Sequence, residues 1–278
     1  MSNPFLNKFN LTGKTALITG SAGLLGYEHA MALLEIGANI IITDINKRNL
    51  SNLYKNLKSK SYKSKLISKF LDVTSIESVN SLKEVLNKEE IQIDILINNA
   101  AINPKVNKNS EIEGSRLENY SNEQWDLEIA VGLKGAFNCS KVFGYEMSKK
   151  GGGVIVNIAS DLSVIAPDNR LYKKDGQSSS NQPVKPVSYS VIKHGLIGLT
   201  KYLATYWPDK GVRCNALSPG GIFNDQGEEF LNRVEKLIPF QRMAYKNEYH
   251  GAIQFLCSDA SSYMNGHNLV IDGGRSIW

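Results

Sequence analysis

The chain has 278 residues, of which 42% are hydrophobic and 21% are charged, and its formal net charge is +5. This length allows one large domain with a buried core, and the composition excludes a disordered or fibrous chain. The positive charge is mild and spread along the sequence. We interpret the lysine cluster at residues 55–69 as a solvated helix and strand edge, and we expect no nucleic-acid partner.

The three cysteines are Cys139, Cys214 and Cys257. Their spacing fits neither a zinc site nor a disulfide framework, so we expect no metal and a reducing compartment. Residues 1–10 lack the apolar core of a secretory signal, and no apolar run reaches the roughly 18 residues that span a bilayer. We therefore expect a cytoplasmic protein with no membrane partner.

Short β-branched runs alternate with amphipathic stretches along the chain. The predicted strands are Lys14–Thr19, Asn39–Thr43, Lys65–Leu71, Ile93–Ile97, Val154–Ala159, Val212–Ala216 and Leu269–Ile271. The predicted helices are Leu24–Ile36, Asn46–Leu57, Ile76–Lys88, Asn122–Lys149, Val187–Trp207 and Lys246–Leu256. This alternation is typical of right-handed βαβ crossovers. It predicts an α/β fold with a doubly wound parallel sheet of about seven strands, helices on both faces, and one domain over residues 1–278.

Two segments interrupt the alternation. Residues 167–186 are polar and contain a run of serines, which predicts a long loop insertion. Residues 220–239 follow Pro219, begin with Gly220-Gly221 and carry a short amphipathic stretch. Long loops in compact domains are usually functional or disordered, and we interpret the second as a substrate lid.

The segment from Thr19 to Gly26 joins the first predicted strand to the first predicted helix. Gly20 permits a tight turn, Gly23 lets the backbone approach a pyrophosphate, and Gly26 lets the helix pack closely on the sheet. The helix N-terminus offers free N–H groups and a positive dipole end to phosphates. Because the turn follows a strand and opens a helix, it predicts a dinucleotide-binding site.

Asp44 ends the second predicted strand. A carboxylate at this point accepts hydrogen bonds from the adenosine ribose hydroxyls and repels a 2′-phosphate. Lys47 and Arg48 lie close in the sequence and weaken that argument, and Asp44 could also simply begin a loop. The sequence favours NAD as the cofactor, with NADP as the less favoured choice.

Tyr189 and Lys193 are four residues apart, so they share one face of a predicted helix. Tyrosine is a poor acid or base near neutral pH, because its free pKa is about 10. A neighbouring ammonium favours the phenolate and lowers that pKa. The pair therefore predicts a general acid/base for a reacting hydroxyl or carbonyl group.

Taken together, the chain resembles the short-chain dehydrogenase/reductase family in its single-domain form, from Lys14 to Gly274. The matching motifs are TGSAGLLG at 19–26, LDV at 71–73, NNAA at 98–101, VIVNIAS at 154–160, YSVIK at 189–193, NALSPG at 215–220 and DGG at 272–274. The resemblance implies a Rossmann fold. It also implies that Tyr189 exchanges a proton with the substrate, that Lys193 assists it and holds the nicotinamide ribose, and that Ser160 orients the substrate oxygen.

The same resemblance implies the residues that bind the cofactor. They are Gly20, Ser21, Gly23, Leu24, Leu25, Asp44, Ile45, Asp72, Val73, Asn99, Ala100, Ala101, Tyr189, Lys193, Pro219, Gly220 and Ile222. Asn224 is a further candidate, at a place where the family often has threonine.

One departure from the family pattern lies within Asn122–Lys149. Gly132 occupies the position of a family asparagine that supports a proton-relay water beside the lysine. Asn138 and Ser163 are candidates for filling the gap, and an altered relay is the other possibility.

The second departure is the long interval between Ser160 and Tyr189, which contains the insertion at 167–186. Its basic and hydroxyl side chains would suit a polar small-molecule substrate that is polyhydroxylated and carries a phosphate or a carboxylate. A surface or subunit-contact loop is the alternative interpretation.

The predicted function is an NAD(H)-dependent oxidoreductase that interconverts a secondary alcohol and a ketone, with a sugar or sugar phosphate as the expected substrate. Weaker similarity over residues 187–219 to short-chain dehydrogenases of bacterial surface-sugar and flagellin glycan pathways supports that substrate class. The alternatives are a cofactor-retaining epimerase or dehydratase and a non-catalytic nucleotide-binding protein, both motivated by Gly132. The family commonly forms homotetramers or homodimers, and the chain ending at residues 275–278 would fit a subunit contact.

Overall fold

The computed structural model describes residues 7–102 and 113–278. Within them, seven strands form one parallel sheet in the order β3-β2-β1-β4-β5-β6-β7. The strands are β1 (Thr15–Ile18), β2 (Asn39–Asp44), β3 (Leu66–Phe70), β4 (Ile95–Asn98), β5 (Gly153–Ile158), β6 (Val212–Pro219) and β7 (Asn268–Ile271). The predicted α/β fold with a doubly wound parallel sheet is confirmed.

The helices lie against both faces of this sheet. They are α1 (Leu24–Glu35), α2 (Lys47–Ser59), α3 (Ile76–Lys88), α4 (122–149), α5 (Val187–Tyr206), α6 (Glu228–Val234) and α7 (His250–Cys257). Helix α4 alternates α-helical stretches (Asn122–Ile129, Gly135–Cys139 and Tyr145–Lys149) with π-helical turns (Ala130–Lys134 and Ser140–Gly144).

The predicted boundaries differ from the structure mainly at two elements. Strand β6 continues three residues beyond the predicted end, because residues 216–219 pair with β7. The predicted helix Lys246–Leu256 opens with a 3-10 turn, Lys246–Tyr249, before α7 begins.

Successive residues of the central strands face opposite sides of the sheet, and both sides are buried. Ile18 belongs to a core shared with Leu33 of α1 and Leu256 of α7. Its neighbour Leu17 belongs to a second core with Phe143 of α4 and Leu203 of α5. Burial on both faces explains why these strands are continuous hydrophobic runs rather than alternating ones.

Because every strand is parallel, the carboxyl ends of the strands share one edge of the sheet. Four predicted site residues or segments follow strands at that edge: the turn at 19–26, Asp44, Asn99 and Ser160. The fold therefore brings together motifs that are far apart in the sequence.

Buried side-chain hydrogen bonds join the middle of the sheet to the two long helices. The Nδ2 of Asn98 donates to Asn157 Oδ1 at 2.8 Å and to Ser140 Oγ of α4 at 3.0 Å. The Nδ2 of Asn157 donates to Thr200 Oγ1 of α5 at 2.8 Å. We call these four residues the polar chain. It fixes α4 and α5 relative to β4 and β5.

The insertion at 167–186 and the predicted lid at 220–239 pack on each other. Leu171 of the insertion is buried with Val234 and Ile238 of the lid. The ring centroids of Tyr172 and Phe230 are 5.7 Å apart. The two segments thus form one wall beside the carboxyl edge of the sheet.

The outer sides of α4 and α5 expose aromatic rings. Phe137, Tyr145, Tyr202 and Tyr206 are each at least half exposed. The subunit interface expected on these helices stays a prediction. In the described ranges, no helix has the length and apolarity needed to cross a membrane.

Replacing Asn157 with alanine should lower the free energy of unfolding by about 2–4 kcal/mol. The substitution removes side-chain bonds to two buried partners, and an unsatisfied buried polar group costs about 1–3 kcal/mol. Chemical denaturation measures this change. The matched control is Asn56→Ala on the exposed side of α2, which should stay within about 0.5 kcal/mol of the parent. Equal stability of the two variants would contradict a stabilising role for the polar chain.

Candidate active site

A cleft of about 740 Å³ opens at the carboxyl edge of the sheet. All but one of the predicted catalytic and cofactor-binding residues line it. They are Gly20, Gly23, Leu24, Leu25, Asp44, Ile45, Asp72, Val73, Asn99, Ala100, Ala101, Ser160, Tyr189, Lys193, Pro219, Gly220 and Ile222. Asn224 lines it as well.

Ser21 is the exception, since its side chain is fully buried behind the cleft. Its hydroxyl donates to Ile18 O at 2.7 Å and accepts a hydrogen bond from Thr43 N at 3.1 Å. Its backbone N–H also donates to Thr43 O. These bonds tie β1 to β2, so the geometry gives Ser21 a structural role in place of the predicted direct contact.

The glycine-rich turn forms a tight cradle. Gly20 has a φ of +60°, and a Cβ there would lie 2.7 Å from Ala100 Cα. A Cβ on Gly26 would lie 2.5 Å from Gly20 O. Gly23 precedes α1 and has no side chain to cap it, so the first N–H groups of the helix are open to a ligand.

Asn99 holds this turn in place. Its Nδ2 donates to both Thr19 O and Gly20 O at 3.0 Å. Thr19 Oγ1 accepts hydrogen bonds from the backbone N–H groups of Asn99 and Ala100 at 3.0 Å. Asn99 and Ala100 therefore hold the glycine-rich turn through side-chain and backbone hydrogen bonds.

Asp44 lies beside the turn, where its Oδ2 accepts a hydrogen bond from Ala22 N at 3.1 Å and its Oδ1 accepts one from Asn46 N at 2.8 Å. Lys47 and Arg48 are exposed on α2. The carboxylate is thus fixed at the rim of the cleft by two backbone donors.

The segment predicted to lie by the adenine is also ordered by hydrogen bonds. Asp72 Oδ1 accepts from the N–H and the hydroxyl of Thr74, at 2.9 and 2.7 Å. Asn138 Nδ2 donates to Val73 O at 2.9 Å.

Tyr189 and Lys193 project from the first two turns of α5 into the cleft. Lys193 is buried and its Nζ donates to Ile158 O, at the end of β5, at 2.8 Å. The same Nζ lies 5.5 Å from the centroid of the Tyr189 ring. Burial, together with the positive charge of Lys185, lowers the pKa of Lys193 to about 8.

Burial raises the pKa of Tyr189, and its hydrogen bond with Ser160 acts in the opposite direction. From the sequence we expected Lys193 to lower the pKa of Tyr189. In the structure the net shift of that pKa is upward. The expectation considered only the neighbouring charge, whereas desolvation of the phenolate is the largest cause of the shift and the Asp161 carboxylate acts in the same direction.

Ser160 is held by a buried carboxylate that sequence reasoning missed. Its Oγ donates to Asp161 Oδ1 at 2.8 Å and accepts a hydrogen bond from Leu162 N at 3.2 Å. Asp161 Oδ2 in turn accepts from Arg275 Nη1 at 2.7 Å, and both side chains are at least nine-tenths buried. An acidic residue directly after the strand serine was visible in the sequence, but its partner 114 positions away was not.

Arg275 therefore belongs to the cleft, although the sequence suggested a subunit contact for residues 275–278. In contrast to Arg275, the last two residues are largely exposed: Ile277 is 81% exposed and Trp278 is 76% exposed. The subunit contact expected for them stays a prediction.

Lys185 is a second residue whose part in the site the sequence did not specify. It ends the insertion, lines the cleft, and places its Nζ 3.7 Å from the centroid of the Tyr189 ring. Burial lowers the pKa of Lys185 to about 8, although the carboxylates of Asp161 and Glu128 act in the opposite direction.

The space beside Gly132 is filled by an apolar side chain. A Cβ on Gly132 would lie 2.8 Å from Ile192 Cγ2, and Ile192 precedes Lys193 on α5. Neither polar candidate fills this gap, because Asn138 bonds to Val73 O and Ser163 Oγ pairs with Ser218 Oγ at 2.8 Å. Gly132 is buried in the first π-helical turn of α4, so the departure from the family pattern is matched by close packing.

Within the part of the chain that the structure describes, His, Cys, Asp and Glu side chains form no group of three that could hold a metal.

The family model of short chain dehydrogenases matches residues 14–172, and a second model, described as enoyl-(acyl carrier protein) reductase, matches residues 176–276. The chain belongs to the short-chain dehydrogenase family. This confirms the resemblance drawn from the motifs.

Named relatives of this short-chain dehydrogenase match nearly end to end. The NAD-dependent glycerol dehydrogenase of Listeria innocua is 32% identical, over 98% of each chain. The D-threitol dehydrogenase of Mycolicibacterium smegmatis is 33% identical, over 97% of this chain and 95% of the relative. The crystal structure of a gluconate 5-dehydrogenase from Burkholderia cenocepacia, in complex with NADP and tartrate, is 27% identical with a TM-score of 0.82, covering 98% of this chain and 99% of that one.

Replacing Gly132 with alanine should destabilise the protein by about 1–3 kcal/mol, the usual cost of overpacking a core. The new methyl group would meet Ile192, so the penalty should shrink when Ile192 is also alanine. A double-mutant cycle by chemical denaturation measures this coupling. Additive effects of the two substitutions would show that Ile192 does not exclude a side chain at 132.

Proposed function

We propose that this short-chain dehydrogenase is an NAD(H)-dependent oxidoreductase that interconverts a secondary alcohol and a ketone on a small, sugar-like substrate. One observation carries the proposal: Ser160, Tyr189 and Lys193 line the same cleft as the glycine-rich cradle. Because these three residues meet there, we favour catalysis over a non-catalytic nucleotide-binding role.

The cradle fits a nicotinamide dinucleotide. Gly20 and Gly26 leave no space for a Cβ, and the open N–H groups at the start of α1 suit a pyrophosphate. Asp44 would hold the adenosine ribose, Asp72 and Val73 would lie by the adenine, and Lys193 would hold the nicotinamide ribose. When bound, the nicotinamide supplies or accepts the hydride.

The preference for NAD is argued from Asp44. Its carboxylate, fixed by two backbone donors, would repel a 2′-phosphate. The relatives do not agree on the nucleotide, because the Listeria relative is named NAD-dependent whereas the Burkholderia structure holds NADP. We give Asp44 the greater weight because it acts at the group that distinguishes the two nucleotides.

The protein's own part in the reaction is proton transfer and orientation. Tyr189 takes the proton from the substrate hydroxyl in oxidation and returns it in reduction. The ammonium of Lys193, held by Ile158 O, stabilises the phenolate that oxidation requires. The proton of Ser160 is directed at Asp161, so its oxygen offers a lone pair to a substrate hydroxyl.

The sugar-like substrate is argued from the wall and from the relatives. The wall formed by the insertion and the lid contributes Tyr172, Lys185 and Asn224 to the cleft, and these side chains can bond to several hydroxyl groups. The names of the relatives refer to glycerol, threitol and gluconate.

Replacing Tyr189 with phenylalanine should lower the rate of NADH formation by about 10²–10⁴-fold, the usual contribution of a positioned acid or base. The assay uses a panel of polyols, sugars and sugar acids with NAD⁺. Calorimetry should show unchanged nucleotide binding. Tyr263→Phe, at a fully exposed position, is the matched control. Undiminished turnover in Tyr189→Phe would contradict the role given to Tyr189.

In the parent enzyme, the rate of alcohol oxidation should rise with pH and the rate of ketone reduction should fall. Oxidation needs the phenolate of Tyr189 and reduction needs the phenol, and burial raises the pKa of that group. The initial rate of alcohol oxidation, measured between about pH 6 and about pH 9, checks this, and a rate independent of pH would count against a titrating Tyr189.

Replacing Asp44 with asparagine should raise the ratio of kcat/KM for NADP⁺ to that for NAD⁺ by about tenfold or more, roughly 1.4 kcal/mol. The amide keeps a hydrogen-bond acceptor but removes the negative charge that opposes a 2′-phosphate. The control is Asp209→Asn, an exposed carboxylate after α5. An unchanged ratio would show that Asp44 does not determine the choice between NAD and NADP.

A further inference from the structure

Lys185 lies in the cleft with its Nζ over the Tyr189 ring. Among residues 7–102 and 113–278, no carboxylate forms an ion pair with it. The side chain is partly buried, and a charge that has lost part of its hydration is stabilised by an anionic partner.

Two carboxylates, those of Asp161 and Glu128, act electrostatically on Lys185, and both accept hydrogen bonds from other residues. Asp161 is bonded to Arg275 and Ser160. Glu128 accepts hydrogen bonds from Tyr120, Ser188 and Gln124 at the junction of α4 and α5. Both carboxylates act to raise the pKa of Lys185, but neither forms an ion pair with its ammonium.

The charges that face this end of the cleft are therefore unbalanced. Lys185, Lys193 and Arg275 line it, and Asp161 is the buried carboxylate beside them. Since Lys193 bonds to Ile158 O and Arg275 to Asp161, Lys185 is the cation best placed to meet a ligand.

The backbone holds Lys185 in position before any ligand arrives. Its N–H donates to Asn169 Oδ1 at 3.1 Å, which ties the end of the insertion to its beginning. Pro186 follows it, and a residue before proline is restricted to extended conformations. A pre-positioned side chain loses less conformational entropy on binding.

We propose that the ammonium of Lys185 binds a carboxylate of the substrate, which makes the substrate a polyhydroxylated carboxylic acid such as an aldonic acid. This inference rests on the proposed function. The cation lies over the face of the Tyr189 ring while the phenol oxygen is at the edge of that ring. The bound carboxylate is consequently only a few bonds from the hydroxyl that Tyr189 deprotonates. A single unpaired ammonium matches one carboxylate, whereas a phosphate dianion is usually held by several donors.

D-Gluconate and D-glucitol test the proposal, because they differ only in a terminal carboxylate against a terminal CH₂OH group. Calorimetry on the enzyme saturated with NADH measures both affinities. The parent should bind D-gluconate at least tenfold more tightly. Lys185→Met should remove that preference by weakening D-gluconate binding at least tenfold more than D-glucitol binding, and Lys185→Arg should keep most of the preference. Lys174→Met, an exposed lysine in the same insertion, should behave as the parent.

Four results would overturn the assignment. Equal affinities in the parent, or no binding of either compound, would exclude a carboxylate-selective site. An equal loss of both affinities in Lys185→Met would show that Lys185 acts on Tyr189 rather than on the substrate. Tighter binding of D-glucitol 6-phosphate than of D-gluconate would assign the site to phosphate. Turnover of neutral polyols that disappears in Tyr189→Phe would still uphold the proposed function in each case.

Discussion

The hydrogen bond between Asn98 and Asn157 is the contact on which the rest of the site depends. It joins β4 to β5 in the middle of the sheet, where both side chains are buried. Strand β4 leads directly to Asn99, which holds the glycine-rich turn, and β5 leads to Ser160. The bond thus reinforces, beside the backbone pairing of β4 with β5, the arrangement of the glycine-rich turn relative to Ser160.

Asn98 also bonds to Ser140 of α4, and Asn157 bonds to Thr200 of α5, so both helices are joined to the same group of hydrogen bonds. Thr200 lies on α5, two turns after Lys193, and Ser140 begins the second π-helical turn of α4. The helix that carries the acid/base pair is therefore positioned by polar bonds as well as by apolar packing. Directional bonds select one register between helix and sheet, whereas apolar contacts alone tolerate small shifts.

Much of the architecture was predictable because it depends on patterns within short stretches of the sequence. Buried parallel strands are short hydrophobic runs, and a strand–glycine turn–helix unit has a recognisable spacing. Tyr189 and Lys193 were predictable for the same reason, since they lie one helical turn apart.

The features that escaped prediction depend on contacts between distant residues. No local pattern relates Asp161 to Arg275, or Gly132 to Ile192. The direction of the Tyr189 pKa depended on how deeply the phenol is buried, which the sequence does not reveal. Ser21 was misjudged because its hydroxyl turns away from the cleft toward β1 and β2.

The bond from Arg275 to Asp161 also links the site to the edge of the sheet. Arg275 follows β7, an edge strand whose residues are only partly buried and which pairs with β6 alone. Edge elements open at a lower free energy than the centre of a domain. Opening of β7 would withdraw the guanidinium and release Asp161 and Ser160 while the other six strands remain paired. We therefore expect local opening of β7 to inactivate the protein on heating before it unfolds cooperatively, with faster amide exchange at β7 accompanying the loss of activity.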